Sequence, residues 1–226
     1  CLMRSPLRAM LVNDASLAGH HGSSIVTAQI VALAADAGIK VEHGWDWGAV
    51  EKALAVPGSQ FDLVLINGEG SIRDDSRAAR RIAVIAERAS SRGWPAYLVN
   101  ASEEGNSKQV MDGLRACRLR FVRDSASQAS LERAGLSSKV IPDLTLSWAG
   151  APKARPAGST LLVTDASDSK KSTRILRMAA RWSAAQTVSF RTRPPWPARG
   201  DRSRRIGFEI KRVVAALAPR SEWSER

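Results

Sequence analysis

Two adjacent histidines lie in a polar segment near the start of the chain. Imidazole exchanges a proton near neutral pH, and a stretch of helical periodicity follows, whose first N–H groups can hold an anion. These residue types predict that the histidines exchange protons next to an anion bound at the start of the helix. The alternative is a surface loop in which Ser23 or Ser24 caps the helix; a metal site is disfavoured, because no third nitrogen or sulfur ligand lies at suitable spacing. The candidates are Asn13, Asp14, Ser16, His20, His21 and Gly22.

A second polar segment follows the most apolar run of the sequence, residues 61–66. Its glycines would let the backbone approach a ligand, and the next helix would present its positive end. The dinucleotide fingerprint is incomplete, because Arg73 stands where the third glycine belongs, and no P-loop lysine follows. A tight turn without a ligand is the alternative, although a turn does not require Glu69. The candidates are Asn67, Gly68, Glu69, Gly70 and Ser71.

Two charged segments follow later apolar runs. Arg123 and Asp124 come after the run that ends at residue 122, and Asp143 comes after the run at 139–141. A planar guanidinium suits a carboxylate or a phosphate, which it can bind through two N–H groups. The alternative is that Asp124 or Ser125 caps a helix while Arg123 is solvated. Both segments become candidates for substrate binding.

The elements that must position these residues alternate along the chain. Apolar runs predict strands at 9–12, 39–42, 61–66, 96–99, 119–122 and 139–141. Helical periodicity predicts helices at 24–36, 49–55, 75–91, 108–114 and 125–134. This alternation predicts a doubly wound, Rossmann-like α/β domain with a parallel sheet. Such sheets bind ligands at the carboxyl ends of their strands, so the four polar segments should share one rim.

A change of composition predicts a second domain. Residues 149–158 are rich in Ala, Gly and Pro, which is typical of a linker between a domain at 1–148 and a unit at 159–226. In the second unit we expect strands at 160–163 and 187–190 and helices at 170–183 and 207–217. This is a thin core for an independent domain. We therefore expect an incomplete, truncated C-terminal α/β domain.

Charge and composition limit the class of protein. The net charge is +12, but residues 1–113 hold 11 Lys and Arg against 13 Asp and Glu, so the excess lies in residues 114–226, with 23 against 9. Such a balance favours nucleic acid, an anionic membrane or phosphorylated or carboxylated small molecules as partners. The absence of an apolar run of ~20 residues argues against a transmembrane protein. The start lacks the features of a signal peptide and two cysteines make no disulfide framework, so we expect a cytoplasmic location.

Taken in order, the polar segments resemble the polysaccharide pyruvyltransferase family over residues 8–147. The pieces that carry the resemblance read NDAS and HHG, then INGEGS, then VRDSAS, then IPDLTL. The resemblance implies two Rossmann-like domains in a GT-B-like arrangement with a cleft between them. It also implies transfer of a pyruvyl group from phosphoenolpyruvate to hydroxyls of a polysaccharide or its sugar precursor, which forms a ketal without a further cofactor. The family's Gly-Arg-x-His segment, in the second domain, has no counterpart here.

The implied chemistry assigns roles to the candidates. Phosphoenolpyruvate carries a phosphate and a carboxylate, so Arg123 is the expected donor anchor. Ketal formation needs one proton delivered to the enol carbon and one removed from the attacking hydroxyl, which His20, His21 or Glu69 could exchange. The division of these roles stays open. The remaining candidates are expected to bind substrate: Asn13, Asp14, Ser16, Gly22, Asn67, Gly68, Gly70, Ser71, Asp124 and Asp143.

Three alternatives stay open. A nucleotide-sugar-dependent glycosyltransferase could use the same architecture, because a fold does not fix chemistry. A nucleic-acid-binding protein could use residues 150–226, with 17 Lys and Arg against 6 Asp and Glu and with Trp182 and Trp196 for stacking, but no reading motif accompanies the charge, so we disfavour it. An inactive fragment is the third. Peripheral contact with an anionic membrane is a further expectation, and the oligomeric state is left open.

Overall fold

The fold is centred on a six-stranded parallel sheet. The computed structural model describes residues 5–18, 20–42, 46–56, 61–148, 161–164 and 185–188, together with 174, 175, 177–179 and 181. The strands of the large sheet are β1 (Leu7–Val12), β2 (Ile39–Glu42), β3 (Leu63–Arg73), β4 (Ala96–Glu104), β5 (Cys117–Val122) and β6 (Lys139–Val140). Their order is β2-β1-β3-β4-β5-β6, and every neighbouring pair is parallel. The predicted α/β sheet is confirmed.

Helices connect the strands, and side-chain caps fix where three of them begin. They are α1 (His21–Asp36), α2 (Trp47–Ala55), α3 (Arg77–Ser91), α4 (Lys108–Leu114) and α5 (Ser125–Arg133), with 3-10 helices at Ala15–Ala18 and Leu144–Trp148. Asp46, Ser76 and Asp124 each accept a hydrogen bond from the backbone N–H three residues further on. Each cap satisfies an N–H group that the helix itself leaves unpaired, which favours a start at that residue.

The sheet is buried on both faces. Met10 and Leu11 are adjacent in β1 and point to opposite sides, because side chains alternate along a strand. Met10 belongs to the larger core, which contains Ile82 and Ile85 of α3, whereas Leu11 packs in a smaller cluster that contains Ile30 of α1. All five side chains are less than a tenth exposed. This two-sided burial explains the nearly unbroken apolar runs of the central strands.

Three predicted boundaries are wrong by three residues or more. α1 begins at His21 rather than at residue 24, so Ser23 and Ser24 lie in its first turn and neither is its N-cap. β3 continues to Arg73 and β4 to Glu104, and the two strands remain paired to their last residues. Backbone pairing between two long neighbours satisfies N–H and C=O groups that a loop would leave to solvent. The two glycines of β3 were therefore misleading as loop signals.

The C-terminal part is described only in short segments. The strands β7 (Leu161–Thr164) and β8 (Ala185–Val188) pair in parallel, and residues 174, 175 and 177–179 are helical. The predicted linker and the helix at 207–217 lie outside the described residues. The chain divides into two compact units, Cys1–Ala18 with Gly22–Ala151 and Gly19–His21 with Pro152–Arg226. Among the helices that the structure describes, none has the length and apolar character needed to cross a bilayer.

Candidate functional site

The sheet defines where a ligand would bind. The connection from β1 runs to β2 on one side, and the chain then crosses to β3 on the other side of β1. In open parallel sheets, ligands bind in the crevice at the carboxyl ends of the strands where the winding reverses. Here that point lies between β1 and β3. The polar residues at the ends of these two strands are therefore the first to consider.

Hydrogen bonds join the residue after β1 to the second half of β3. Asn13 Nδ2 donates to the backbone carbonyl of Asn67 at 2.7 Å and to Ser71 Oγ at 3.1 Å. Asn67 is fully buried, and its Nδ2 donates to the carbonyl of Asn13 at 3.4 Å. Asn13 has a φ of 58°, a left-handed conformation that asparagine tolerates better than most residues. These residues, with Glu69 and Ser23, are called the β1–β3 cluster.

Glu69 is the most unusual member of the β1–β3 cluster. Its φ is 38°, and the pairing of β3 with β4 shifts register between Glu69 and Ile72. Ser23 Oγ, in the first turn of α1, donates to Glu69 Oε2 at 3.2 Å. The other oxygen, Oε1, is buried and has no hydrogen-bond partner among the described residues. A left-handed backbone costs about 1–3 kcal/mol at a non-glycine residue, and a buried oxygen without a donor is costly as well.

The segment before α1 is held by Asp14. Its Oδ1 accepts hydrogen bonds from the backbone N–H of Ser16 at 2.9 Å and from Thr27 Oγ1 at 3.2 Å. Asp14 thereby ties the 3-10 turn after β1 to the second turn of α1. His21 is the first residue of α1, and its side chain is exposed. His20 directly precedes α1, and Gly22 is in its first turn.

A second group of polar side chains joins β4 and β5. Ser102 Oγ accepts hydrogen bonds from Arg123 Nε at 3.1 Å and Nη2 at 2.7 Å, and it donates to Asp124 Oδ2 at 3.3 Å. Arg123 Nη1 donates to Asp143 Oδ2 at 2.6 Å in a salt bridge whose two side chains are each 26% exposed. These four residues are called the β4–β5 cluster. The structure thus brings seven of the predicted site residues into two clusters: Asn13, Asn67, Glu69, Ser71, Arg123, Asp124 and Asp143.

The two aspartates of the β4–β5 cluster favour the ionised form. The pKa of Asp124 lies below its ordinary value, chiefly because the backbone N–H of Ser127 donates to it, with further hydrogen bonds from the Ser127 and Ser102 hydroxyls. Burial by itself would raise the pKa of Asp143, but hydrogen bonds from Thr145 and Arg123 and the charge of Arg123 outweigh it and lower the pKa. Arg123 therefore faces a permanent negative charge near neutral pH.

Two predicted glycine functions need correction. Gly68 and Gly70 lie within β3 and not in a turn ahead of a helix, so their N–H groups do not form the expected cradle at a helix end. A Cβ atom on Gly68 would stand 2.4 Å from the Cβ atom of Ala101, whereas Gly70 has open space around it. Gly68 is thus required by the close approach of β3 and β4.

Sequence reasoning missed three polar residues at this edge. Ser102 is the centre of the β4–β5 cluster, and Asn100 is fully buried with a φ of 54°. Asn100 Oδ1 accepts from the backbone N–H of Leu144 at 3.0 Å, while its Nδ2 has no partner among the described residues. Ser23, taken above as a cap candidate, is the hydroxyl donor to Glu69. A signal existed, because Asn100 and Ser102 directly follow an apolar run, as the recognised candidates do.

Comparison with known proteins does not assign the chain to a family. No family model matches the chain, and no curated protein matches it either. The described side chains hold no group of three or more His, Cys, Asp or Glu that could bind a metal ion.

Proposed function

We propose that this protein is a transferase that moves a pyruvyl group from phosphoenolpyruvate to hydroxyls of a sugar, with its reacting groups at the carboxyl ends of β1 and β3. The ordered motifs that resemble polysaccharide pyruvyltransferases support the reaction type. Glu69 is the observation that carries the proposal. It combines a left-handed backbone, a buried oxygen with no hydrogen-bond partner among the described residues and a position beside the reversal of the winding. Strain and unpaired polar groups tend to persist where function requires them.

The unpartnered oxygen of Glu69 suits the role of general base. Once the groups that bury it move aside, a carboxylate oxygen without a donor among the described residues can accept the hydrogen bond of a sugar hydroxyl and then take its proton. Ser23 Oγ holds the other oxygen at 3.2 Å and so orients the carboxylate. In the overall reaction one hydroxyl oxygen adds to C2 of the enol while C3 gains a proton. A second hydroxyl oxygen then displaces phosphate, which completes the ketal.

The donor anion needs positive partners. A guanidinium has five N–H groups, and Arg123 gives three of them to Ser102 and Asp143, so two have no partner within the described part of the chain. Asp143 also balances its charge. Arg123 is consequently a weaker donor anchor than the sequence suggested. The first turn of α1, which carries no acidic residue, supplies backbone N–H groups and the positive end of the helix dipole.

The proposal is tested with the 226-residue chain by a binding and a turnover measurement. A ligand that binds only the folded state raises the melting temperature, so phosphoenolpyruvate is compared with phosphate and with a nucleotide sugar. Turnover is followed as phosphate release together with the methyl signal of the ketal, over a panel of sugars. Glu69→Gln should abolish turnover and leave the melting temperature of the free protein within a few degrees. The matched control, Glu104→Gln, changes an exposed carboxylate at the end of β4 and should keep activity.

Two outcomes would redirect the proposal. Stabilisation by a nucleotide sugar but not by phosphoenolpyruvate would favour a glycosyltransferase on the same edge of the sheet. Equal affinity of the parent and of Arg123→Ala for phosphoenolpyruvate would remove Arg123 from the donor site and leave the α1 N-terminus to bind the anion.

A further inference from the structure

A concave, arginine-rich groove lies between α2 and α3. It has a volume of about 360 Å³ and is lined by Arg77, Arg80, Arg81 and Arg88 of α3, by Val84 and Ile85 of the same helix and by Glu51 of α2. We call it the α2–α3 groove. Its formal charge is +3, although residues 1–113 as a whole carry more acidic than basic residues. The positive charge is therefore concentrated locally, and the composition of this part of the chain does not account for it.

Helical spacing brings the arginines to one side of α3. Arg81 lies four residues after Arg77, and Arg88 seven residues after Arg81, which are the spacings of one helix face. Arg80 lies three residues after Arg77 on an adjoining row. The 11-residue separation of the first and last arginine corresponds to about 16 Å along the axis. All the basic residues of α3 are arginines, and arginine is the side chain that binds phosphate through paired N–H groups.

The positive charge of the groove is only partly balanced. The Nε of Arg81 lies 3.8 Å from Glu51 Oε1, and its Cζ lies 5.6 Å from the centre of the Trp47 ring. Hydrogen bonds from Ser107 and, to a smaller extent, the charge of Arg80 lower the pKa of the Asp75 carboxylate. Within the part of the chain that the structure describes, Arg77 and Arg88 form no salt bridge. A solvated helix face usually mixes both signs of charge, whereas the α3 sequence contains a single acidic residue, Glu87.

We propose that the α2–α3 groove binds a small molecule that carries at least two phosphate groups and a hydroxyl group. A ligand with two phosphate groups neutralises the formal charge of +3 more fully than a ligand with one phosphate group. The carboxylate of Glu51 would repel a phosphate polymer that ran along the groove. The same carboxylate can accept a hydrogen bond from a hydroxyl group of a small ligand. The volume of about 360 Å³ is near the lower end of ligand cavities, roughly 300–1,000 Å³. Glu69 is not among the lining residues of the groove, and the inference does not depend on the proposed transfer reaction.

The test measures calorimetric binding of ADP, which has both features, to the whole chain. AMP, with one phosphate, should bind about tenfold more weakly, since each charge-assisted hydrogen bond lost costs about that factor or more. The triple variant Arg77→Gln, Arg80→Gln, Arg88→Gln should lose at least tenfold in ADP affinity. Glutamine keeps the helix propensity close to that of arginine. The control, Arg133→Gln, removes an exposed arginine of α5 and should bind ADP as the parent does.

Several results would overturn this inference. Absence of ADP binding to the parent would do so, as would ADP binding that the triple variant retains in full while circular dichroism and melting temperature match the parent. Binding of single-stranded DNA or of phosphatidylglycerol vesicles that the triple variant loses, without any ADP binding, would assign the arginines to a polyanion instead. If the triple variant is unfolded, the single variant Arg88→Gln replaces it, with a threefold or larger loss expected.

Discussion

Gly68 of β3 and Ala101 of β4 approach so closely that any side chain at position 68 would overlap the neighbouring strand. A Cβ atom there would stand 2.4 Å from the Ala101 Cβ atom and 2.8 Å from its Cα atom. Glu69, the next residue, pairs in register with Ala101. The close approach of β3 and β4 therefore fixes the backbone position of Glu69.

Gly68→Ala should destabilise the protein by about 1–3 kcal/mol, because the core must move to admit one methyl group. Gly70→Ala is the matched control, since a Cβ atom there meets nothing within 4 Å. It should change the free energy of unfolding by less than about 0.5 kcal/mol. Urea denaturation of both variants measures the difference. Equal stabilities would mean that β3 and β4 are further apart than described.

The N-cap of α5 gives a second stability prediction. Asp124 Oδ1 accepts the backbone N–H of Ser127 at 2.7 Å, whereas Ser107, at the N-cap of α4, makes no side-chain cap hydrogen bond. Asp124→Ala should therefore cost about 0.5–2 kcal/mol. Ser107→Ala, a change at the same kind of position, should cost much less. Thermal and urea unfolding would compare the two, and a larger effect at Ser107 would contradict the assigned caps.

Acid should weaken the β4–β5 cluster. The pKa values of Asp124 and Asp143 are lowered in the folded protein, so both carboxylates stabilise the fold above the unfolded pKa, about 3.9. That stability is lost as the pH falls through the lower folded values. The free energy of unfolding should decline as the pH falls below about 5, and less steeply in Asp143→Asn than in the parent. Identical pH profiles for the two proteins would refute this assignment.

Cys117 should be inert while the protein is folded. Burial raises the pKa of its thiol to about 11, an effect that the charge of nearby Arg120 only partly opposes. The thiolate, which is the reactive form, then amounts to roughly 0.1% of the thiol at pH 8. In a Cys1→Ser background, iodoacetamide should label Cys117 in urea but hardly at all in buffer. Labelling in buffer at the rate of a free cysteine would indicate that the thiol is accessible.

The sequence was sufficient for the elements with strong apolar periodicity. It predicted α4 at its observed residues, and it predicted β1 and β5 within two residues of each end. It failed for the second halves of β3 and β4. Their polar and glycine residues are held in strand conformation by pairing with residues about 30 positions away, and local composition contains no information about that pairing.

The site could be predicted in part. The rule that ligands bind at carboxyl strand ends selected Asn13, Glu69 and Arg123 from one sequence, and each lies on that edge of the sheet. The salt bridge of Arg123 with Asp143 was not foreseen, because it depends on β5 and the segment after β6 meeting at a given register. Ser102 was missed for a similar reason, since β4 extends beyond its apolar residues.

The two outermost strands of the large sheet have consequences for the protein at high concentration. β2 has four residues and β6 has two, and each contains a lysine, Lys40 and Lys139. Exposed strand edges can recruit strands from other molecules, and short edges that carry a lysine resist such recruitment. A central sheet that is rich in valine, isoleucine and leucine would otherwise be an aggregation hazard. The long apolar strands β1, β3, β4 and β5 thus lie inside the sheet, and only the short strands β2 and β6 form its edges.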